Sequence, residues 1–179
     1  MNAFTINRHT STLLIIDFQQ RLMPAIDQGE NAVTNTRRLL KSAALLGVPA
    51  LFTEQNPNGL GPTLTELTPD PSQVLHKMTF DASRATGFFK RLAPDHALIV
   101  CGCEAHVCVL QTVLGLLGSD REVFVVRDAI GSRRAENKEA GIQRMAHCGA
   151  KIVTTEMVIF EWLESAEHPL FRSTIALIK

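Results

Sequence analysis

Apolar residues along the chain fall into short unbroken runs, separated by stretches in which they recur at helical spacing. Thr12-Leu13-Leu14-Ile15-Ile16 shows no polar alternation before it meets Asp17, which predicts a strand covered on both faces and therefore a parallel sheet. From Asn31 to Gly47 the apolar residues Val33, Leu39, Leu40, Ala43, Ala44 and Leu46 sit on one helical face, with Gly47 as the stop and Pro49 beyond it. Further strands are predicted at 50–53, 74–77, 97–101, 122–126 and 151–154, and further helices around Phe88 to Ala93, His106 to Leu117, Ala135 to Cys148 and Glu156 to Glu164, with a tail from Pro169 to Ile178. Residues 54–72, rich in Pro, Gly, Asn and Thr, read as one long surface loop, and loops of that length usually serve a function.

Strand and helix alternate throughout, which predicts an α/β fold: a doubly wound three-layer α/β/α sandwich on a six-stranded parallel sheet of Rossmann-like order 3-2-1-4-5-6. At 179 residues the chain suits one domain, taken as 1–179. Apolar residues make up 45% and charged residues 20%, and 18 basic side chains balance 18 acidic ones. That balance gives no electrostatic case for nucleic acid or a membrane surface as partner. No apolar run reaches the length of a membrane span, and residues 1–8 lack the basic-then-apolar order of a secretory leader, so a cytoplasmic location is expected. The cysteines at 101, 103, 108 and 148 fit a reducing compartment, because three of them share one strand-turn-helix. A zinc site from Cys101, Cys103, Cys108 and His106 is rejected: the C-x-C spacing is read as alternating faces along a strand, and no second compact pair completes a tetrahedron.

Open parallel sheets place ligands outside the carboxyl ends of their strands. Asp17 ends the first strand, Lys77 ends the third, and Cys108 follows the fourth at the head of the predicted helix. Such a position favours an anion, so the Cys108 thiol is expected to ionise easily. The plainer reading is a small buried apolar residue. Taken together, the three form a nucleophilic constellation in which Asp17 takes the thiol proton and Lys77 supports both anions. His106 lies two residues before Cys108, on another side of the helix, and is a pocket-lining candidate, while His76 should point away from Lys77. Neither a dinucleotide fingerprint nor a phosphate-cradling loop is present, so no cofactor is expected.

The motifs Leu14-Ile15-Ile16-Asp17-Phe18-Gln19, Lys77 with Phe80 three residues on, and Gly102-Cys103-Glu104-Ala105-His106-Val107-Cys108-Val109-Leu110-Gln111-Thr112 resemble the isochorismatase-like cysteine hydrolases. Within that family the pattern is most similar to the isochorismatase-domain-containing proteins 1 and 2, through residues 53–63 and the ending His168-Pro169-Leu170-Phe171. The resemblance implies a catalytic triad of Asp17, Lys77 and Cys108 and attack on a small amide or related C–N bond through an acyl-enzyme. It also implies an oxyanion hole from the backbone N–H groups of Glu104 and Cys108, beside a cis peptide between Cys103 and Glu104. Phe18, Gln19, Gln55, Phe80 and His106 are the candidate pocket wall for a small-molecule substrate. A homo-oligomer, a dimer or larger, is expected.

Two departures bear on the substrate. Nicotinamidases of the family carry an Asp-x-His metal motif where this chain has Glu54-Gln55-Asn56, so no metal is expected and nicotinamide is disfavoured. The family's vinyl-ether hydrolases lack the nucleophilic cysteine, which Cys108 supplies here. Two other classes stay open: a non-catalytic scaffold with an unreactive Cys108, and a thiol redox protein in which Cys101 or Cys103 resolves Cys108.

Overall fold

The computed structural model describes residues 5–67 and 69–178; the leader reading therefore falls partly on residues 1–4, outside the described residues. Six strands form one parallel sheet: β1 Ser11–Ile16, β2 Ala50–Gln55, β3 Val74–Lys77, β4 Ala97–Cys103, β5 Val123–Gly131 and β6 Lys151–Val153. Their order is β3-β2-β1-β4-β5-β6, as predicted. The helices are α1 Gly29–Leu46, α2 Pro57–Leu60, α3 Leu110–Leu117, α4 Ala135–His147, α5 Thr155–Leu163 and α6 Phe171–Ile175. None among the described residues is long and apolar enough to cross a membrane.

The unbroken apolar runs are explained by burial on both faces. Leu13 and Ile15 of β1 join Phe52, Ile99 and Phe124 in a core sealed by Leu39 of α1 and Trp162 of α5. Leu14 and Ile16 join Leu51, Val100 and Val125 in a second core, sealed by Val113 of α3 and Met145 of α4. Successive residues of one strand thus feed opposite layers, as the pleat requires.

Several local expectations change. The predicted helix at Phe88 to Ala93 is only a 3-10 turn, Phe89–Arg91. The long loop is a chain of short turns around α2, tied down at an isolated bridge between Gln19 and Thr63. β5 runs five residues past its predicted end at Val126, because Ile130 and Gly131 pair with Gly102 and Cys103 after an irregularity. The helix carrying Cys108 opens as a wide π-turn, Ala105–Val109, before α3 begins.

Two glycines set the approach of the central elements. Gly102 has φ +148°, and a Cβ there would stand 2.4 Å from the Ile16 carbonyl oxygen and 2.6 Å from its Cβ. Only glycine lets β4 lie this close to the end of β1. Gly141 of α4 leaves room for the π-turn, since a Cβ there would sit 3.0 Å from the Ala105 carbonyl oxygen.

Candidate functional site

The strand order reverses between β1 and β4, so the crevice of this sheet opens where those two strands end. Asp17 leaves β1 with a left-handed φ of 52°, a conformation that Asp tolerates better than most residues. Its N–H donates to the Thr53 carbonyl at 3.1 Å, and its side chain is fully buried. The Lys77 ammonium, equally buried at the end of β3, donates to Asp17 Oδ2 at 2.7 Å, and the Thr53 hydroxyl donates to Oδ1 at 2.6 Å. Burial raises the Asp17 carboxyl above its ordinary value, partly offset by the Lys77 charge and by hydrogen bonds from Lys77 and Thr53.

Cys108 approaches this pair from the π-turn, in which the N–H groups of Val107 and Val109 both donate to the Glu104 carbonyl. Such wide turns recur where a helix must re-aim a side chain. The thiol interacts with both Asp17 and Lys77, and Cys108 is only 6% exposed. Burial pushes the thiol up to about 12, the Asp17 charge adds to the rise, and Lys77 opposes it. The expectation of an easily ionised thiol at a helix head is therefore corrected. Desolvation and an adjacent carboxylate both disfavour the thiolate, and the π-turn that carries Cys108 is not the first turn of an α-helix. These shifts favour a neutral thiol at rest beside the Asp17–Lys77 pair, with a carboxylate that holds a proton more readily than an exposed one.

The peptide bond between Cys103 and Glu104 is cis. The Glu104 carboxylate is held across the crevice by Arg133, whose backbone N–H donates to Oε2 at 2.9 Å and whose Nε donates at 3.1 Å to both oxygens. Burial alone would raise this carboxyl, but the Arg133 hydrogen bonds and charge bring it below its ordinary value. His106, half-buried, shares a 3.0 Å hydrogen bond between Nδ1 and the Ser132 hydroxyl.

The other pocket candidates divide. Gln55 is half-exposed and reaches the Met78 carbonyl at 3.4 Å, and Phe80 is 49% exposed beside it in sequence. Phe18 is corrected: its ring is fully buried in the core under α1, whereas Cys108 belongs to the core on the other face. Gln19 is corrected as well. It is fully buried, and its amide is consumed by Gln55 O at 3.1 Å, Gly61 O at 2.6 Å and Gln55 N at 2.8 Å, so it straps the loop and has no surface to offer a substrate. Glu54, which stands where a metal motif was sought, accepts from Thr63 N at 2.6 Å and its hydroxyl at 2.8 Å and pairs with His76 at 3.2 Å. His76 faces away from Lys77, as strand alternation predicted. The face-alternation argument against zinc needs correcting too, since Cys101 and Cys103, two apart, share one core while Cys108 lies in the other.

Residues 11–157 match the isochorismatase domain model. The chain belongs to the isochorismatase family. It is 36% identical to the human isochorismatase domain-containing protein 2 over 171 residues, covering 95% of this chain and 83% of that one. A Caenorhabditis elegans structure described as MAR1 ribonuclease superposes with TM-score 0.89 at 32% identity, covering 97% of this chain and 92% of that one. The octameric YcaC hydrolase of Escherichia coli, of unknown specificity, has the same fold, with TM-score 0.86 at 22% identity and coverage of 99% and 89%. This isochorismatase-family chain thus carries a hydrolase fold with Asp17, Lys77 and Cys108 converging at its crevice.

Sequence reasoning missed Thr53, Ser132 and Arg133. Thr53 was detectable as a hydroxyl that follows the apolar run Ala50-Leu51-Phe52 and stands opposite Ile16. Ser132 and Arg133 escaped because the strand-end rule was applied to a β5 that stopped too early.

Proposed function

We propose that this isochorismatase-family hydrolase cleaves a small amide or related C–N bond through an acyl-enzyme on Cys108. The observation that carries the reading is the fully buried Asp17–Lys77 pair set against an otherwise neutral thiol. A buried ion pair contributes little to stability over apolar replacements, whereas a raised carboxylate beside a thiol is what proton transfer needs. Substrate binding brings an electrophilic carbonyl carbon to Cys108 Sγ. The thiol proton passes to Asp17 as the S–C bond forms, and the backbone N–H groups of Glu104 and Cys108 receive the oxyanion. Asp17 returns the proton to the leaving nitrogen as the C–N bond breaks. Water, deprotonated by Asp17, then attacks the thioester, releasing the acid and restoring the thiol. Lys77 keeps Asp17 ionised between these steps. The assembly would be a homo-oligomer working in the cytoplasm on a small molecule, over a single domain spanning 1–179.

The name of the C. elegans relative raises RNA cleavage as a second reading. The zero net charge opposes it, as does the engagement of Arg133 by Glu104. The redox reading is opposed by the placement of Cys103 and Cys108 in opposite core layers. A screen of small amides with the purified protein, read by release of amine, should find turnover that Cys108→Ala abolishes. Turnover retained in that variant, or cleavage of single-stranded RNA without amide hydrolysis, would overturn the reading.

A further inference from the structure

Away from the thiol, a cavity of about 430 Å³ opens between the start of α1 and the end of β5, floored by Ala32 and Ile130. Its polar lining is unbalanced. Arg38 and Lys138 bring two positive charges, Gln28, Asn31 and Asn35 bring amides, and Asp128 is the one carboxylate. One oxygen of Asp128 is committed, since Oδ1 accepts from the Thr155 N–H at 2.9 Å and hydroxyl at 3.1 Å, while its charge still acts on Lys138. Its backbone carbonyl accepts from Asn35 Nδ2 at 2.8 Å.

The cations are less occupied. Arg38 donates from Nη1 to Asn35 Oδ1 at 3.0 Å, one turn back along α1, which leaves Nε and Nη2 without a partner among the described residues. No hydrogen bond or ion pair engages Lys138 Nζ among the described residues, although the side chain is half-buried. Burial holds its ammonium below the usual lysine range; the Arg127 charge adds to this, and Cys103, Asp128 and Asp27 only partly counter it. Asp27 and Glu139 line an adjoining cavity of about 270 Å³ that shares Gln28 and Lys138, and Glu139 itself faces Arg127 at 3.9 Å. A half-buried ammonium and an arginine fork with open donors line one cavity with amide donors, and neither cation has a carboxylate in ion-pair contact among the described residues.

We infer that the cavity between α1, α4 and the end of β5 is a binding site for a small oxyanion, a phosphate or carboxylate group, held by Arg38 and Lys138. The site is separate from the thiol crevice yet shares its backbone. Ile130 pairs with Gly102 and Gly131 with Cys103, and the next two residues hold His106 and Glu104. An anion seated there therefore rests on the strand that supports the Cys103–Glu104 peptide.

The test is calorimetric titration of the full chain with inorganic phosphate and, separately, malonate, alongside amide NMR shifts in the wild type. Saturable binding of either anion, with shifts centred on residues 28–38 and 128–138, is expected. Phosphate alone identifies a phosphate-bearing ligand, malonate alone a carboxylate. Lys138→Met and Arg38→Gln should each weaken binding by about tenfold or more, the effect of removing one charged hydrogen-bond donor. Lys41→Gln, on an exposed part of α1, should leave it unchanged. Absence of saturable binding of both anions overturns the inference. So do shifts centred elsewhere, or equal weakening by Lys41→Gln, which would mark general charge attraction.

Discussion

The two edges of the sheet use polar residues in opposite ways. At the amino-terminal edge, Arg121 donates to the carbonyls of Ala93 at 2.6 Å and His96 at 2.7 Å, and the Thr12 hydroxyl shares a 2.9 Å bond with the His96 ring. Each polar group there closes a loop. At the carboxyl-terminal edge, Asp17 and Lys77 are buried against each other, and the Cys108 thiol interacts with both. That arrangement is not what stability favours, because buried pairs are often replaced by apolar residues at no loss. The difference separates residues that hold the fold from residues that the chemistry retains.

The largest contrast should come from breaking the pair. Lys77→Met leaves Asp17 buried beside an apolar chain and should cost about 3–5 kcal/mol in urea unfolding, with turnover abolished. Adding Asp17→Asn to it should recover much of the stability and none of the activity. A double variant as unstable as Lys77→Met alone would show that charge burial is not the source of the loss. At the other edge, Arg121→Ala frees two carbonyls and should cost about 1–3 kcal/mol. Its kcat/KM should stay at the wild-type level, and a tenfold fall would mean the edges are coupled.

The pH profile sharpens the same contrast without mutation. Asp17 must be ionised to accept the thiol proton, and burial raises its carboxyl above 3.8. The acid limb of kcat/KM should therefore lie above that value. Between 3.8 and its folded value the native Asp17 holds a proton that the unfolded chain releases, so its contribution to stability falls as pH rises through that window. Glu104 works in the other direction: its lowered carboxyl contributes stability above 4.5, lost as pH falls through the folded value. An acid limb at or below pH 3.8 would remove Asp17 as the base.

Much of this edge was legible in the sequence, because unbroken apolar runs mark strands buried on both faces and the residue ending each run marks the crevice. Asp17 followed from that rule directly, and Lys77 from its place at the end of a short strand that His76 interrupts. Cys108 was placed correctly, but its protonation was not, since burial and the Asp17 charge act across strands and leave no trace in local pattern. Phe18 and Gln19 were misplaced for a related reason. Nearness in sequence to Asp17 says nothing about which face a residue takes after a left-handed turn. Arg133 was hidden by the irregularity in β5, which carries that strand beyond its apolar run.

The central claim is that Cys108 is a neutral thiol made reactive by the Asp17–Lys77 pair. Iodoacetamide alkylation of Cys108, followed by peptide mass against pH, tests it most directly. The account predicts a wild-type rate that keeps rising through pH 9 without a plateau, as a thiol near 12 requires, and a rate in Lys77→Met at least about tenfold lower across that range. A plateau near neutral pH, or equal rates in the two proteins, would contradict it.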